Sequence, residues 1–291
     1  MPRLVRLIAT LALMLHALVA WAQQGTRFPQ DFNGLWWIPA ESGWGVGLFN
    51  PEGNTLTSMV FAYGPDGSPT WYIAPNVANC IPNFATTVSV SCSGTVYQTM
   101  GPWFGAGPFN PANVSIRNVG DWSGTLSGPL AGSTGSRELD LQLTIDGETL
   151  KKSLVLQDIA GSSTLNFSSA DSKFTDLWWN PDESGWGVGV FQFKSFAFAI
   201  LFVYGVNHQP TWYVASVVET TPAGDTSQRS FEGPVFATTG TWWYTSPFKL
   251  TSVRIAGMAR FVFPSDGINA SLSYTIDGHT VQTVIRRTSQ P

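Results

Sequence analysis

LWWIPAESGWGVGLF, residues 35–49, and LWWNPDESGWGVGVF, residues 177–191, agree at twelve of fifteen positions. Each copy sets two tryptophans side by side and then places glycine at every second position of a strand-like run. Further matches follow in the same order. Tyr63-Gly64 answers to Tyr204-Gly205, Pro69-Thr70-Trp71-Tyr72 to Pro210-Thr211-Trp212-Tyr213, Trp103 to Trp242, and Thr144-Ile145-Asp146-Gly147 to Thr275-Ile276-Asp277-Gly278. A period this long marks two copies of one domain and not a solenoid. The chain therefore divides into a leader (1–22), a first repeat (23–159), a linker rich in small polar residues (160–174) and a second repeat (175–291).

Within a copy the pattern is that of strands. In FAFAILFVY, residues 196–204, the bulky side chains Phe196, Phe198, Ile200, Phe202 and Tyr204 alternate with smaller ones, the period of two that a pleated strand imposes. Asp146-Gly147 and Asp277-Gly278 sit between alternating runs as two-residue hairpin turns do, and no segment carries a helical period. The expected fold is all-β: two tandem antiparallel up-and-down β-barrels of seven to eight strands each, since closure removes exposed edges. A pair of β-sandwiches is the alternative.

The glycines then require a cause. In GWGVGLF, Trp44, Val46 and Leu48 face one side while Gly43, Gly45 and Gly47 face the other, and the second copy repeats this. Each interior glycine costs roughly 0.5–1 kcal/mol against alanine, so something must lie on the bare backbone: a neighbouring ring such as the indole of Trp71 or Trp212, a strand crossing, or a ligand. Adjacent tryptophans on a strand point opposite ways. One of Trp36 and Trp37, and one of Trp178 and Trp179, must therefore leave the barrel interior for an interface or a ligand.

The segment Trp178–Gly189, with Pro210-Thr211-Trp212-Tyr213, resembles repeats of secreted proteobacterial proteins of largely unassigned function, a likeness that spans both copies and implies no particular activity. Gly34-Leu35-Trp36 also resembles the Gly-x-Trp that opens calycin barrels, the lipocalins and avidins, where the tryptophan plugs the closed end. That likeness implies a barrel with a mouth. Asp176 replaces the glycine in the second copy.

Residues 1–22 pair Arg3 and Arg6 with an apolar run and end in Ala20-Trp21-Ala22, the plan of a signal peptide. The run is shorter than the roughly 20 residues of a bilayer span, and no later stretch is apolar enough, so the mature chain has no expected membrane span. Export to the periplasm or beyond follows, and there Cys80 and Cys92 are expected to form a disulfide. Removing the leader takes two cations and no acid from a net charge of −4. With Lys and Arg scattered through an acidic chain, nucleic acid is not an expected partner.

The motifs of common chemistry are missing. Two histidines remain outside the leader, His208 and His279, in non-equivalent places. There is no Gly-x-Ser-x-Gly elbow, no Cys-x-x-Cys, no His-Glu-x-x-His and no calcium loop, and neither a metal nor a cofactor is expected. The repeated polar group is Glu41, matched by Glu183, which either accepts turn amides or lines a barrel mouth. Five indole positions recur, and flat rings with a few polar neighbours hold sugars and small amphipathic molecules. The sequence thus points to an exported, non-catalytic binding protein for a carbohydrate or small hydrophobic ligand, with Trp44, Trp71, Trp103 and Glu41 and their counterparts Trp186, Trp212, Trp242 and Glu183 as candidate ligand residues. A structural or interaction module with an envelope protein as partner is the alternative. A glycoside hydrolase using Glu41 and Glu183 is the third.

Overall fold

A computed structural model describes residues 32–50, 55–83, 88–129, 135–157 and 173–289. The leader, and the linker before Lys173, lie outside these residues. The first copy supplies β1 (Gly34–Trp37), β2 (Gly45–Phe49), β3 (Leu56–Tyr63), β4 (Pro69–Asn83), β5 (Val88–Met100), β6 (Ser115–Gly128), β7 (Glu138–Ile145) and β8 (Glu148–Leu156). The second supplies β9 (Asp176–Trp179), β10 (Gly187–Phe193), β11 (Phe196–Tyr204), β12 (Pro210–Glu219), β13 (Gln228–Gly240), β14 (Leu250–Pro264), β15 (Asn269–Ile276) and β16 (His279–Arg287). Each set of eight pairs with its neighbours in chain order and closes first strand on last, giving two up-and-down antiparallel barrels and not sandwiches. The helical residues among those described are three single 3₁₀ turns, Pro39–Glu41, Pro111–Asn113 and Pro181–Glu183.

The hairpin turns read from sequence take the form that a right-handed strand twist favours. Asp146 and Gly147 adopt φ of 50° and 88°, Asp277 and Gly278 of 49° and 85°, the two successive positive angles of a type I′ turn. Each aspartate is also gripped by an arginine, Arg117 on Asp146 at 2.5 Å and Arg254 on Asp277 at 2.6 Å. In the first barrel Cys80 and Cys92 form a disulfide that ties β4 to β5.

Burial shows where the two barrels meet. In β7 buried and exposed residues alternate, as in a strand with one face in water. In β2 and β3 every residue is buried, so both faces are covered. Pairing identifies the faces: Trp36 opposes Val46, so these two point into the barrel, whereas Gly45 opposes Phe61, which opposes Trp71, and these point out. The outward face meets the matching face of the second barrel. The bulky residues of 196–204 therefore turn outward, Phe202 and Tyr204 against Trp71 in the joint, and the smaller Ala197, Ala199, Leu201 and Val203 turn inward.

The joint is built from reciprocal contacts. Trp71 Nε1 donates to the Val203 carbonyl at 3.0 Å, and Trp212 Nε1 to the Ala62 carbonyl at 2.9 Å. Tyr63 Oη donates to Thr238 Oγ1 and Tyr204 Oη to Thr99 Oγ1, both at 2.8 Å. Phe49 and Phe191, equivalent residues, stack on each other with centroids 5.4 Å apart, which places them on an approximate two-fold axis between the barrels. Buried indole N–H groups need acceptors, and these find theirs on the other barrel's backbone.

Candidate functional site in the cleft between the barrels

The paired tryptophans divide as alternation requires. Trp36 and Trp178 are fully buried, and their Nε1 groups donate to the carbonyls of Phe32 and Phe174 at 3.1 and 3.0 Å. Trp37 and Trp179 point out and are half-buried. Phe174 stacks on Phe263 at 4.3 Å and belongs to the second barrel's core. Asp176, where the first copy has Gly34, pairs with Arg287 at 2.6 Å and fastens the end of β16.

Phenylalanine, not indole, covers most of the bare backbone. A Cβ on Gly45 would lie 2.7 Å from Phe61 Cζ and 2.6 Å from the Trp36 carbonyl oxygen. At Gly47 and Gly189 it would meet both Phe49 and Phe191 at 3.0–3.4 Å. Two glycines of the second copy's run lack a ring: Gly185, whose Cβ would meet Val114 at 2.7 Å, and Gly187. Its counterpart of Phe61 is Phe202, whose ring lies 3.5 Å from the Cβ position of Gly189 instead. The nearest side-chain atoms to a Cβ on Gly187 are Leu177 Cδ1 at 3.8 Å and Trp179 Cβ at 4.0 Å. One stretch of glycine backbone is thus left without a ring above it.

That stretch forms part of a cleft of about 440 Å³ between the barrels. Met59, Trp71 and Ile73 wall it on one side, and Leu177, Trp179 and Trp186 on the other. It offers the hydroxyls of Tyr97, Thr99, Ser184 and Thr288, and among the described residues no Asp, Glu, Lys, Arg or His lines it. Thr99 is hydrogen-bonded to the Tyr204 phenol, which burial pushes up to about 12 despite that bond, so the phenol stays neutral. Ile116, 69% exposed, stands at the rim.

The candidate ligand residues fall into three places. Trp71 and Trp186, from different copies, meet in the cleft, together with Trp179, the member of the Trp178-Trp179 pair that leaves the barrel interior. Trp212 is 1% exposed and serves the joint. The remaining residues gather at the barrel ends. Glu41 and Glu183 do not cap turn amides through their side chains. Each accepts the N–H of the indole three residues on, Trp44 at 3.2 Å and Trp186 at 3.1 Å. Trp103 packs edge-on against His279 at 4.6 Å and Trp242 against Tyr244 at 5.4 Å. The loops that carry them, between β5 and β6 and between β13 and β14, reach across the joint: Phe104 N donates to the Tyr204 carbonyl and Trp243 N to that of Tyr63.

Comparison with protein-family models, curated proteins and solved structures finds no match to this chain. The described residues hold no group of three or more His, Cys, Asp or Glu suited to a metal ion, and no helix among them is long and apolar enough to cross a membrane. The Cys80–Cys92 bridge fits an oxidising, non-cytoplasmic compartment.

Proposed function

We propose that the protein is an exported binding protein that holds a small hydrophobic ligand in the cleft between its barrels. The observation that carries this reading is the backbone at Gly187, which no ring covers and which forms part of a cleft walled by three indoles and aliphatic side chains and, among the described residues, free of charged groups. Glycines that cost stability are kept where something must approach the main chain closely. A cleft of this size is within the range of small-molecule sites, and hydroxyls at its edge suffice to orient an amphipathic molecule. A carbohydrate is the less suited of the two ligand classes, because a sugar presents many hydroxyls and this cleft offers few partners for them.

Intrinsic tryptophan fluorescence of the full chain, titrated in parallel with 1-octanol and with cellotriose, tests the proposal. The expected result is a saturable change with octanol only, abolished in Ile116→Trp, which fills the rim at an exposed position and leaves the unfolding temperature within a degree or two. Absence of any saturable change would favour the second reading, a structural or interaction module, for which the buried, hydrogen-bonded Trp71 and Trp212 of the joint are the supporting observation. Under either reading Glu41 and Glu183 are bound to indoles and are assigned no catalytic step.

A further inference from the structure

The two barrel ends differ by one charge. In the first barrel the Glu41 carboxylate is held on both oxygens: Trp44 Nε1 donates to Oε2, and Lys152 Nζ pairs with Oε1 at 2.5 Å. Both members of the pair are less than one-fifth exposed, at 18% and 17%. The second barrel rebuilds half of this arrangement. Trp186 Nε1 donates to Glu183 Oε2. The position corresponding to Lys152, at the same distance past the hairpin turn, is Thr283, whose hydroxyl accepts from Asn180 Nδ2 at 3.0 Å. Among the described residues no cation pairs with Glu183.

What Glu183 faces is a cavity of about 350 Å³. Aromatic rings form much of its wall: Phe104 and Phe109 from the crossing loop of the first barrel, and Trp186, Tyr204 and Tyr274 from the second. The loop is fixed in place, with Phe109 stacked on Tyr204 at 6.3 Å and Phe104 against Tyr274 at 5.8 Å. His279 and Gln282 are exposed at the cavity's margin. Burial, and after it the Glu183 charge, raise the Tyr274 phenol well above its ordinary value, so that this wall stays neutral beside the carboxylate.

We propose that this cavity binds a small organic ammonium ion, with Glu183 as its counter-charge and the aromatic rings as its cage. The lysine of the first barrel supplies the argument. There the chain carries its own ammonium to the carboxylate; here it has removed the ammonium, kept the carboxylate and its indole, and surrounded the space with rings. A cation is attracted to the faces of such rings, and more strongly where water is excluded. A half-buried carboxylate with no cationic partner also gains more from an incoming cation than an exposed one does. An anionic or purely apolar occupant would leave that charge unanswered.

Isothermal titration calorimetry of the full chain with tetramethylammonium chloride, against a sodium chloride control, tests the site. The expected result is one-to-one binding, weakened at least tenfold in Glu183→Gln, whose amide oxygen still accepts from Trp186, and unchanged in Ile116→Trp, which alters only the cleft. Thr283→Lys restores the first barrel's pair and is expected to abolish binding by occupying the site. Sedimentation with phosphatidylcholine vesicles distinguishes the source: co-sedimentation lost in Glu183→Gln assigns the ammonium to a lipid headgroup, and its absence beside tetramethylammonium binding assigns it to a soluble ion. Absence of saturable heat, or equal binding by Glu183→Gln, would overturn the proposal, and neither result bears on octanol in the cleft.

Discussion

Gly45 and Gly187 hold the same place in two copies of one strand, yet the space above them differs. Over Gly45 sits the ring of Phe61, against a Trp36 carbonyl that leaves no room for a methyl group. Over Gly187 no ring of a described residue takes that place, and the backbone faces the cleft. The barrel ends differ in the same sense. Glu41 is closed by Lys152, whereas Glu183 opens onto a cavity. Across the middle of the joint, in contrast, the contacts come in mirrored pairs: Trp71 and Trp212, Tyr63 and Tyr204, Phe49 and Phe191. A joint made of equivalent contacts constrains both copies together, because a change in one strand is felt twice. The rim and the ends carry no such constraint. One copy has come to be filled and stapled there, while the other keeps its openings.

The largest test of this contrast is the disulfide, which only the first barrel has. Reduction is expected to cost about 3 kcal/mol, the chain entropy returned to the unfolded state by a loop of this length, read as a shift of the urea midpoint. Amide exchange should quicken first in β4 and β5. Equal quickening in the matching β12 and β13 would show that the joint fuses the barrels into one cooperative unit. The glycines give the next effect. Gly45→Ala places a Cβ 2.6 Å from a backbone oxygen that cannot yield and is expected to cost about 1–3 kcal/mol. Gly187→Ala meets its nearest backbone oxygen at 3.1 Å and should cost well under 1 kcal/mol. Equal losses in urea unfolding would erase the difference on which the cleft rests.

Much of the architecture was legible because it repeats. The duplication, the period of two, the Asp-Gly turns and the closed barrel follow from patterns that each copy states independently. The direction of the bulky face did not follow. Alternation tells that Phe198 and Ala199 point apart, but which one points inward depends on whether a second barrel covers the outside. The same gap hid the ring over the glycines, since Phe49 covers a glycine of the other copy. Trp179 and Lys152 were within reach. Both belong to adjacent identical pairs, Trp178-Trp179 and Lys151-Lys152, and alternation sends one member of each to the opposite face. Applied to the lysines as it was to the tryptophans, that rule places one ammonium inside the barrel and prompts the search for its carboxylate. His279 and Tyr274 carry no such signal, because a loop from the other copy brings the Phe104 and Phe109 rings to their cavity.

The smallest effect concerns the arginine–aspartate pairs, where the copies agree. Arg117 and Arg254 each grip a turn aspartate in two hydrogen bonds, and all four side chains are about half exposed. The guanidinium holds each carboxyl below the usual carboxylate value. A carboxyl lowered in the folded state adds stability that is present above its unfolded value of about 3.9 and lost as pH falls through the lower folded one. Water and salt screen pairs this exposed, so each contributes about 0.2–1 kcal/mol. Arg117→Gln and Arg254→Gln should therefore lower the melting temperature slightly and by similar amounts at pH 7, with the deficit shrinking as pH falls below the unfolded carboxyl value. If one variant loses markedly more than the other, that hairpin is engaged in something its twin is not, and divergence between the copies would extend to a motif whose two-bond grip on the aspartate is the same in both.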